Sequence, residues 1–323
     1  MSTFTYHYIV DTKLIFYGCK QTGRDVLESI NDIARTLISR PKGKVYVVAD
    51  LGSSTHRLAI SPYYKGKRRE QMTKKSQAEQ DAHKLFSEEY VKFIELLKNE
   101  LPITVMDIND VEADDVASIL AHTLSQDSHN RVGLITRDLD WLHSVINRDN
   151  VKIISPYPRE EDKGPEYVRL MYNVSTREEF TLRKALYGDD GDSIINIRYL
   201  GKEKADIIWE SCKMRGEVTL DILREEIHNF INKQKNPAVF KVPPKYVEYG
   251  VASTIDEVID VNYRLGSTLM DISQLTPEQQ KQYIAALKRP LPDKQFDAFN
   301  KGFEYFNRPI ILTEAARKVF NGK

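Results

Sequence analysis

Three apolar runs in the first half of this chain stop at an aspartate, and a fourth leads into a helix that opens on acids. Residues 6–10 end at Asp11, residues 44–49 at Asp50, and residues 132–136 just before Asp138. Residues 103–108 precede Glu112, Asp114 and Asp115, which open an amphipathic stretch over 112–124. Short runs of this kind read as strands buried on both faces. Between them the spacing turns helical: Val26, Leu27, Ile30, Ile33, Ala34, Leu37 and Ile38 within 25–38, then Leu85, Phe86, Tyr90, Phe93, Ile94 and Leu97 within 79–99. Residues 151–155 supply a fifth strand. The alternation predicts an α/β fold with a mostly parallel central sheet covered by helices.

The pattern changes after about residue 178. It becomes mostly helical, with loops rich in Gly, Pro and Lys, such as the basic, proline-broken 232–246. The polar stretch 156–178 marks a boundary between a core over 1–177 and a helical region over 178–323. Residues 276–323 read as two or three short helices. A chain of 323 residues that is 41% hydrophobic has ample core for this organisation. Two cysteines, Cys19 and Cys212, make neither a disulfide framework nor a zinc cage, so a reduced, intracellular setting is expected. The start of the sequence lacks the pattern of a signal peptide, and no run of 18 apolar residues exists to span a membrane. The expected location is the cytoplasm.

The placement of the acids carries the chemistry. In an open α/β sheet, ligands bind beyond the carboxyl ends of the strands. Asp11, Asp50, the Glu112–Asp114–Asp115 group and the Asp138–Asp140 pair therefore meet at one edge. Asp189 and Asp192 lie in the turn GDDGD between two helices. Each group has an ordinary explanation alone, as a strand end, a cap or a helix N-terminus. Together they form a cluster that repels itself unless a cation neutralises it, and all-oxygen donors suit Mg²⁺ or Mn²⁺.

Net charge is zero, with 47 basic and 47 acidic residues, so only local clustering points to a partner. Residues 57–75 hold Arg57, Lys65, Lys67, Arg68, Arg69, Lys74 and Lys75 against Glu70 alone, a local charge of +6. A charge run is usually a solvated face. Here it follows the strand ending at Asp50, with Tyr63 and Tyr64 beside it, which suits phosphates and unpaired bases. Pro62 can begin a helix there, and Lys65 and Arg68, three apart, would then share a face.

The segments VEADDVASILA (111–121), LITRDLDWL (134–142), HRLAISPYYKGKRR (56–69) after Asp50, and LYGDDGDSI (186–194) together resemble the flap-endonuclease and 5′-3′ exonuclease family, as in bacteriophage 5′-nucleases and the 5′-nuclease domains of bacterial DNA polymerases. The likeness extends over roughly 6–210. It implies a nuclease core of the kind shared with PIN domains, a helical arch over about 62–90, and a helix–three-turn–helix over about 188–209 that grips duplex DNA. It implies that Asp11, Asp50, Glu112 and Asp114 hold a first Mg²⁺ with Asp115 nearby, and that Asp138, Asp140 and Asp189 hold a second, with Asp192 as an outer ligand; Mn²⁺ can substitute. Lys65 and Arg68 match the residues at the arch base that meet the scissile phosphate. Tyr64 would stack on the terminal nucleotide. Arg57, Lys67, Arg69, Lys74, Lys75, Gly201, Lys202 and Lys204 would contact nucleic acid, and carbonyls of the hairpin would hold a potassium ion. The chain departs from the family at Thr12, where Gly is usual, at Leu139, where a small residue is usual, and in NIRYLGKEKA (196–205), which keeps only Gly201.

The function so implied is structure-specific hydrolysis of phosphodiester bonds near 5′ ends of DNA or RNA-primed DNA by two-metal catalysis, in replication or repair. Its partners would be DNA with free 5′ ends, flaps or nicks, RNA–DNA hybrid, and replication proteins such as a single-strand-binding protein or a sliding clamp. Two other readings use the same residues: a PIN-type ribonuclease, and an inactive DNA-binding scaffold. The basic arch and the helical second half speak against the first, and the complete set of acids against the second.

Overall fold

The computed structural model describes residues 4–156, 160–292, 304–308 and 311–321. The expected strands are all present: β1 (Thr5–Asp11), β2 (Gly43–Val48), β3 (Thr104–Met106), β4 (Asn130–Ile135) and β5 (Val151–Ile154). They form one parallel sheet in the order β3-β2-β1-β4-β5. The chain starts at the centre, steps outward to β3, then crosses to the other side. The reversal point lies between β1 and β4, the place where open sheets of this kind bind ligands beyond the strand ends.

The helices are α1 (Thr12–Gln21), α2 (Glu28–Ile38), α3 (Thr55–Ile60), α4 (Gly66–Thr73), α5 (Gln77–Glu100), α6 (Ala113–Ser125), α7 (Pro165–Tyr172), α8 (Arg177–Tyr187), α9 (Lys202–Met214), α10 (Leu220–Asn232), α11 (Pro244–Glu248), α12 (Ile255–Gly266), α13 (Pro277–Lys288) and α14 (Glu314–Asn321). The helix α1 follows β1 directly, with Asp11 as its cap. In α2 the buried face is Ile30, Ile33, Ala34 and Leu37, one stripe at helical spacing. In α5 the buried side chains are Tyr90, Phe93, Ile94, Leu96 and Leu97, with Phe86 packed edge-on against Phe16, and Leu85 is exposed.

The chain divides into two compact units, each built from separated segments: residues 1–53, 77–168 and 268–323 in one, and 54–76 with 169–267 in the other. This differs from a single cut near 177. The sheet unit takes in the end of the chain, because α13 packs on β3 and α14 on α2, with Leu312, Ala316 and Phe320 entering the core. The helical unit takes in the basic stretch. Its α12 packs on α8 and α3, and α10 on α9. Of the short helices expected over 276–323, α13 and α14 are present, and what falls on 293–303, 309–310 and 322–323 lies outside the described residues.

Candidate metal centre and nucleic-acid surface

Parallel register decides where the acids of the sheet unit go. Asp11 stands opposite Val48, Val10 opposite Ile135, and Val48 opposite Met106, so all four strands end along one edge. Asp11 is buried there and caps α1, its Oδ1 accepting from the Leu14 N–H at 3.2 Å. Its Oδ2 accepts from the Thr136 hydroxyl at 3.1 Å, whose oxygen accepts the Asp138 N–H at 3.0 Å. Burial pushes the Asp11 carboxyl up to about 6; the Leu14 amide and the Thr136 hydroxyl oppose this, while the charges of Asp138 and Asp50 add to it. An acid in such surroundings is stabilised in its charged form by a cation.

Glu112, Asp114 and Asp115 each present a carboxylate oxygen within 4.8 Å of the others. Glu112 is the cap residue of α6, and both acids of its first turn follow from that. Glu112 and Asp115 are buried. Asp115 accepts from the Leu269 N–H at 2.9 Å. Asp50 receives the Lys13 ammonium at 2.7 Å. Asp138 caps the 3₁₀ turn Leu139–Ser144, accepting the Asp140 N–H at 2.9 Å, and the bulky Leu139 points out, 42% exposed. The donor set is all carboxylate, it is partly buried, and its best-placed cation is one lysine. It fits a hard divalent ion.

Thr12 has a structural reason to replace glycine. It is fully buried, its hydroxyl donates to Val48 O at 2.7 Å and accepts from the Tyr90 hydroxyl at 3.0 Å. The Tyr90 oxygen accepts the Asp50 N–H at 3.3 Å, so the pair links the ends of β1 and β2.

In the helical unit the GDDGD turn closes on itself. Asp189 and Ile194 exchange both backbone bonds, at 2.8 and 2.9 Å, and Asp189 Oδ1 accepts the Gly191 N–H at 2.8 Å. Gly188 has φ +74°, and a Cβ there would meet Ile194 O at 2.8 Å, so glycine is required. Lys184 places its ammonium 3.0 Å from Asp189 and 3.5 Å from Asp192. Burial works against the charge of Asp189, but Lys184 and the amides of Asp192 and Gly191 outweigh it and hold the carboxyl below the usual range.

The basic stretch docks on that turn. The Lys65 N–H donates to Asp192 O at 3.0 Å, and the Lys67 N–H to Ser193 Oγ at 3.1 Å. Lys65 Nζ and Arg68 Nη2 then stand 3.8 and 3.7 Å from the same Asp192 oxygen. The two cations do converge, but not through a helix begun at Pro62. The helix α4 starts at Gly66, with Lys65 as its cap at φ 52°. Gly66 is needed because a Cβ would press on the Tyr63 ring at 2.5 Å.

Three residues of the basic stretch make contacts within the chain that the sequence does not suggest. Arg57 is 3% exposed, and its guanidinium donates to Leu265 O and Ser267 O at 3.3 and 3.2 Å, filling the end of α12. It is an internal anchor and no surface cation. Tyr64 is 2% exposed, with Arg57 and Lys65 over its ring at 5.8 and 5.2 Å. Arg69 turns back onto Tyr64 O and Pro62 O, both at 2.6 Å. Lys67 is exposed but pairs with Asp190 at 2.7 Å, while Lys74 and Lys75 are exposed.

The helices on either side of residues 188–201 are α8 and α9. Gly201 caps α9 with nothing within 4 Å of where a Cβ would be, which leaves its backbone open to close approach. Lys202 is exposed in the first turn. Lys204 donates to Tyr199 O at 2.8 Å, and Asn196 Nδ2 to Leu200 O at 2.6 Å. These two hairpin carbonyls accept hydrogen bonds within the chain.

A family model described as the 5′-3′ exonuclease, N-terminal resolvase-like domain matches residues 7–178, more than half of the chain. The chain belongs to this family. A curated member-like relative, the flap endonuclease of Escherichia phage T5, is 30% identical over 181 residues, covering 55% of this chain and 58% of that protein. The matched stretch thus spans under two thirds of that relative's length. Among solved structures, the T5 5′-exonuclease with divalent zinc bound is similar at TM-score 0.58 and 22% identity, covering 87% of this chain and 93% of the other. The catalytic core of Rad2 in complex with a DNA substrate is similar at TM-score 0.52 and 13% identity, covering 99% and 92%. These likenesses show the family's fold, the helix-flanked parallel sheet.

Sequence reasoning missed Lys13, Lys184 and Tyr90. Lys184 lies in the last turn of α8, where a lysine is ordinary, so nothing local distinguishes it. Tyr90 looked like a core residue, and its hydroxyl is what matters.

Proposed function

We propose that the chain is a divalent-metal-dependent 5′-nuclease that hydrolyses phosphodiester bonds near free 5′ ends of DNA, flaps and nicks, or of RNA-primed DNA. The observation that carries this reading is the strand-end cluster, in which a buried Asp11 faces Asp50 and Asp138 and the oxygens of Glu112, Asp114 and Asp115 lie within 4.8 Å of one another. Membership of the exonuclease family and the metal-bound and DNA-bound relatives support it.

Asp11, Asp50, Glu112 and Asp114 would hold one Mg²⁺ or Mn²⁺, with Asp115 steadying the loop before α13 through Leu269. Asp138 and Asp140 would hold another. We assign Asp189 and Asp192 a metal-holding role too, with Lys184 balancing their charge when no ion is bound. When present, such ions supply Lewis-acid polarisation of the phosphate and make water a competent nucleophile at neutral pH. The acids hold and orient; none needs to act as a base.

Lys65 and Arg68 offset charge that shifts among the phosphate oxygens as the bond breaks. Lys67, Lys74, Lys75 and Lys202 attract backbone phosphates without reading sequence. The scissile bond is inaccessible in an intact duplex, so terminal nucleotides must unpair, at a cost of about a few kcal/mol. Products carry a 5′-phosphate and a 3′-hydroxyl. The setting is replication or repair in the cytoplasm; among the described residues no helix is long and apolar enough to cross a membrane. A single-strand-binding protein or a sliding clamp is the class of partner this activity implies.

Incubating 5′-labelled flap, nicked and RNA-primed duplexes with Mg²⁺, with and without chelator, tests the reading. Chelator-sensitive release of short 5′ products is expected. Binding without cutting would favour a scaffold, and cutting of single-stranded RNA alone would favour a PIN-type ribonuclease.

A further inference from the structure

The C-terminal turn of a helix leaves carbonyls without partners inside the helix. At the end of α8 the Gly188 N–H satisfies Lys184 O at 2.9 Å, but the Asp189 N–H turns away to Ile194 O. The Ala185 carbonyl must find a donor elsewhere. It finds Asn262, a fully buried residue of α12, whose Nδ2 lies 3.1 Å from Ala185 O and 3.0 Å from Ile195 O. The amide orientation follows from its neighbours, because two carbonyls demand a donor. Asn262 Oδ1 accepts the hydroxyl of Tyr246, also fully buried, at 2.6 Å, and that oxygen accepts the Ile195 N–H at 3.1 Å. Burial raises the Tyr246 hydroxyl to about 12, so it keeps the proton it donates.

Both backbone groups of Ile195 and the orphan carbonyl of Ala185 are therefore held by two side chains. Between those anchor points lies the turn that carries Asp189 and Asp192. A buried polar network with each of these bonds made specifies one conformation, and losing a member leaves a buried group unpaired. Packing alone would be served as well by two apolar residues.

We propose that Asn262 and Tyr246 are positioning residues: they pin the turn so that Asp189 and Asp192 face Lys184, Lys65 and Arg68. What the acids then do rests on the nuclease reading; the pinning does not.

The test compares Tyr246→Phe, which removes only the hydroxyl, and Asn262→Asp, which keeps the shape and replaces the donor, with Leu223→Ala, which hollows the core of the same unit at a fully buried position of α10. Amide hydrogen exchange, Mn²⁺ binding by calorimetry, DNA affinity in Ca²⁺ and single-turnover cleavage of a 5′ flap are measured for each. Tyr246→Phe should speed exchange of the 189–195 amides selectively, while α10 amides stay protected. It should weaken Mn²⁺ binding and slow cleavage by about tenfold or more, as expected for a misplaced group. DNA affinity should change by less than about twofold, since the effect falls on turnover and not on binding. Leu223→Ala should lower the unfolding temperature without these local effects. Unchanged exchange and Mn²⁺ binding in Tyr246→Phe, or the same losses in Leu223→Ala, would overturn the proposal. If the wild-type protein cuts no 5′-ended DNA, the nuclease reading fails, and the exchange and Mn²⁺ results decide the pinning alone.

Discussion

Lys184 holds its ammonium 3.0 Å from Asp189, five residues along the chain, and by doing so keeps that acid charged in a half-buried turn. Because the folded-state pKa of Asp189 is lowered, its contribution to stability is present above the ordinary carboxylate value and lost as pH falls through the folded value. In chelator at pH 7.5, Lys184→Met should therefore destabilise the protein by about 1–3 kcal/mol. The gap from wild type should close as the pH falls below the carboxylate range, where Asp189 is neutral in both. Thermal unfolding across pH checks this, and a gap indifferent to pH would count against the pairing.

Asp11 has the opposite sign. Its folded-state pKa is raised to about 6, so the metal-free fold is penalised as pH rises from the unfolded value through that point. Asp11→Asn should stabilise the chelated protein at pH 7.5 by about 1–3 kcal/mol, at most the full shift converted to free energy. The same variant should lose most of the stabilisation that Mg²⁺ gives the wild type. A variant less stable than wild type in chelator, and equally stabilised by Mg²⁺, is the contrary result.

The basic stretch divides into internal and external cations. Arg57→Ala removes a buried guanidinium that satisfies two carbonyls at the end of α12, and should cost about 2–4 kcal/mol. Lys74→Ala touches an exposed side chain and should stay within about 0.5 kcal/mol. Urea unfolding of the two variants separates them, and equal midpoints would show that Arg57 anchors nothing.

Lys65 and Arg68 share one oxygen of Asp192, and their role is expected in turnover. Lys65→Ala should slow single-turnover cleavage at saturating enzyme by about a hundredfold, as for loss of one preorganised charge. Lys74→Ala should leave that rate intact and only weaken binding at higher salt. Equal rates for both would reduce the stretch to an electrostatic funnel.

The strands and their terminal acids were legible because both signals are local: apolar runs of strand length, and an acid one or two residues beyond. The helix α1 was not, because TKLIFYGCKQ mixes β-branched and aromatic residues and follows the strand with no loop, using Asp11 itself as its cap. The burial of Tyr64 and Arg57 was hidden by their basic neighbours, which look solvated in sequence and are partly folded inward. The left-handed turn at Lys65 has no residue signature, since the backbone is held there by Asp192 O. Lys184, Asn262 and Tyr246 depend on contacts between residues far apart in sequence. So does the return of residues 268–323 to the sheet unit.

In the proposed mechanism the acids hold metal and do not bind DNA themselves. Single-turnover cleavage of a 5′-flap duplex in Mg²⁺, run beside flap affinity in Ca²⁺, addresses this with Asp138→Asn. The substitution removes charge from the strand-end cluster and leaves the basic surface untouched. Cleavage should fall by about a thousandfold or more with affinity near that of the wild type. Near-normal cleavage by the variant, or cleavage lost only in step with DNA binding, would contradict it.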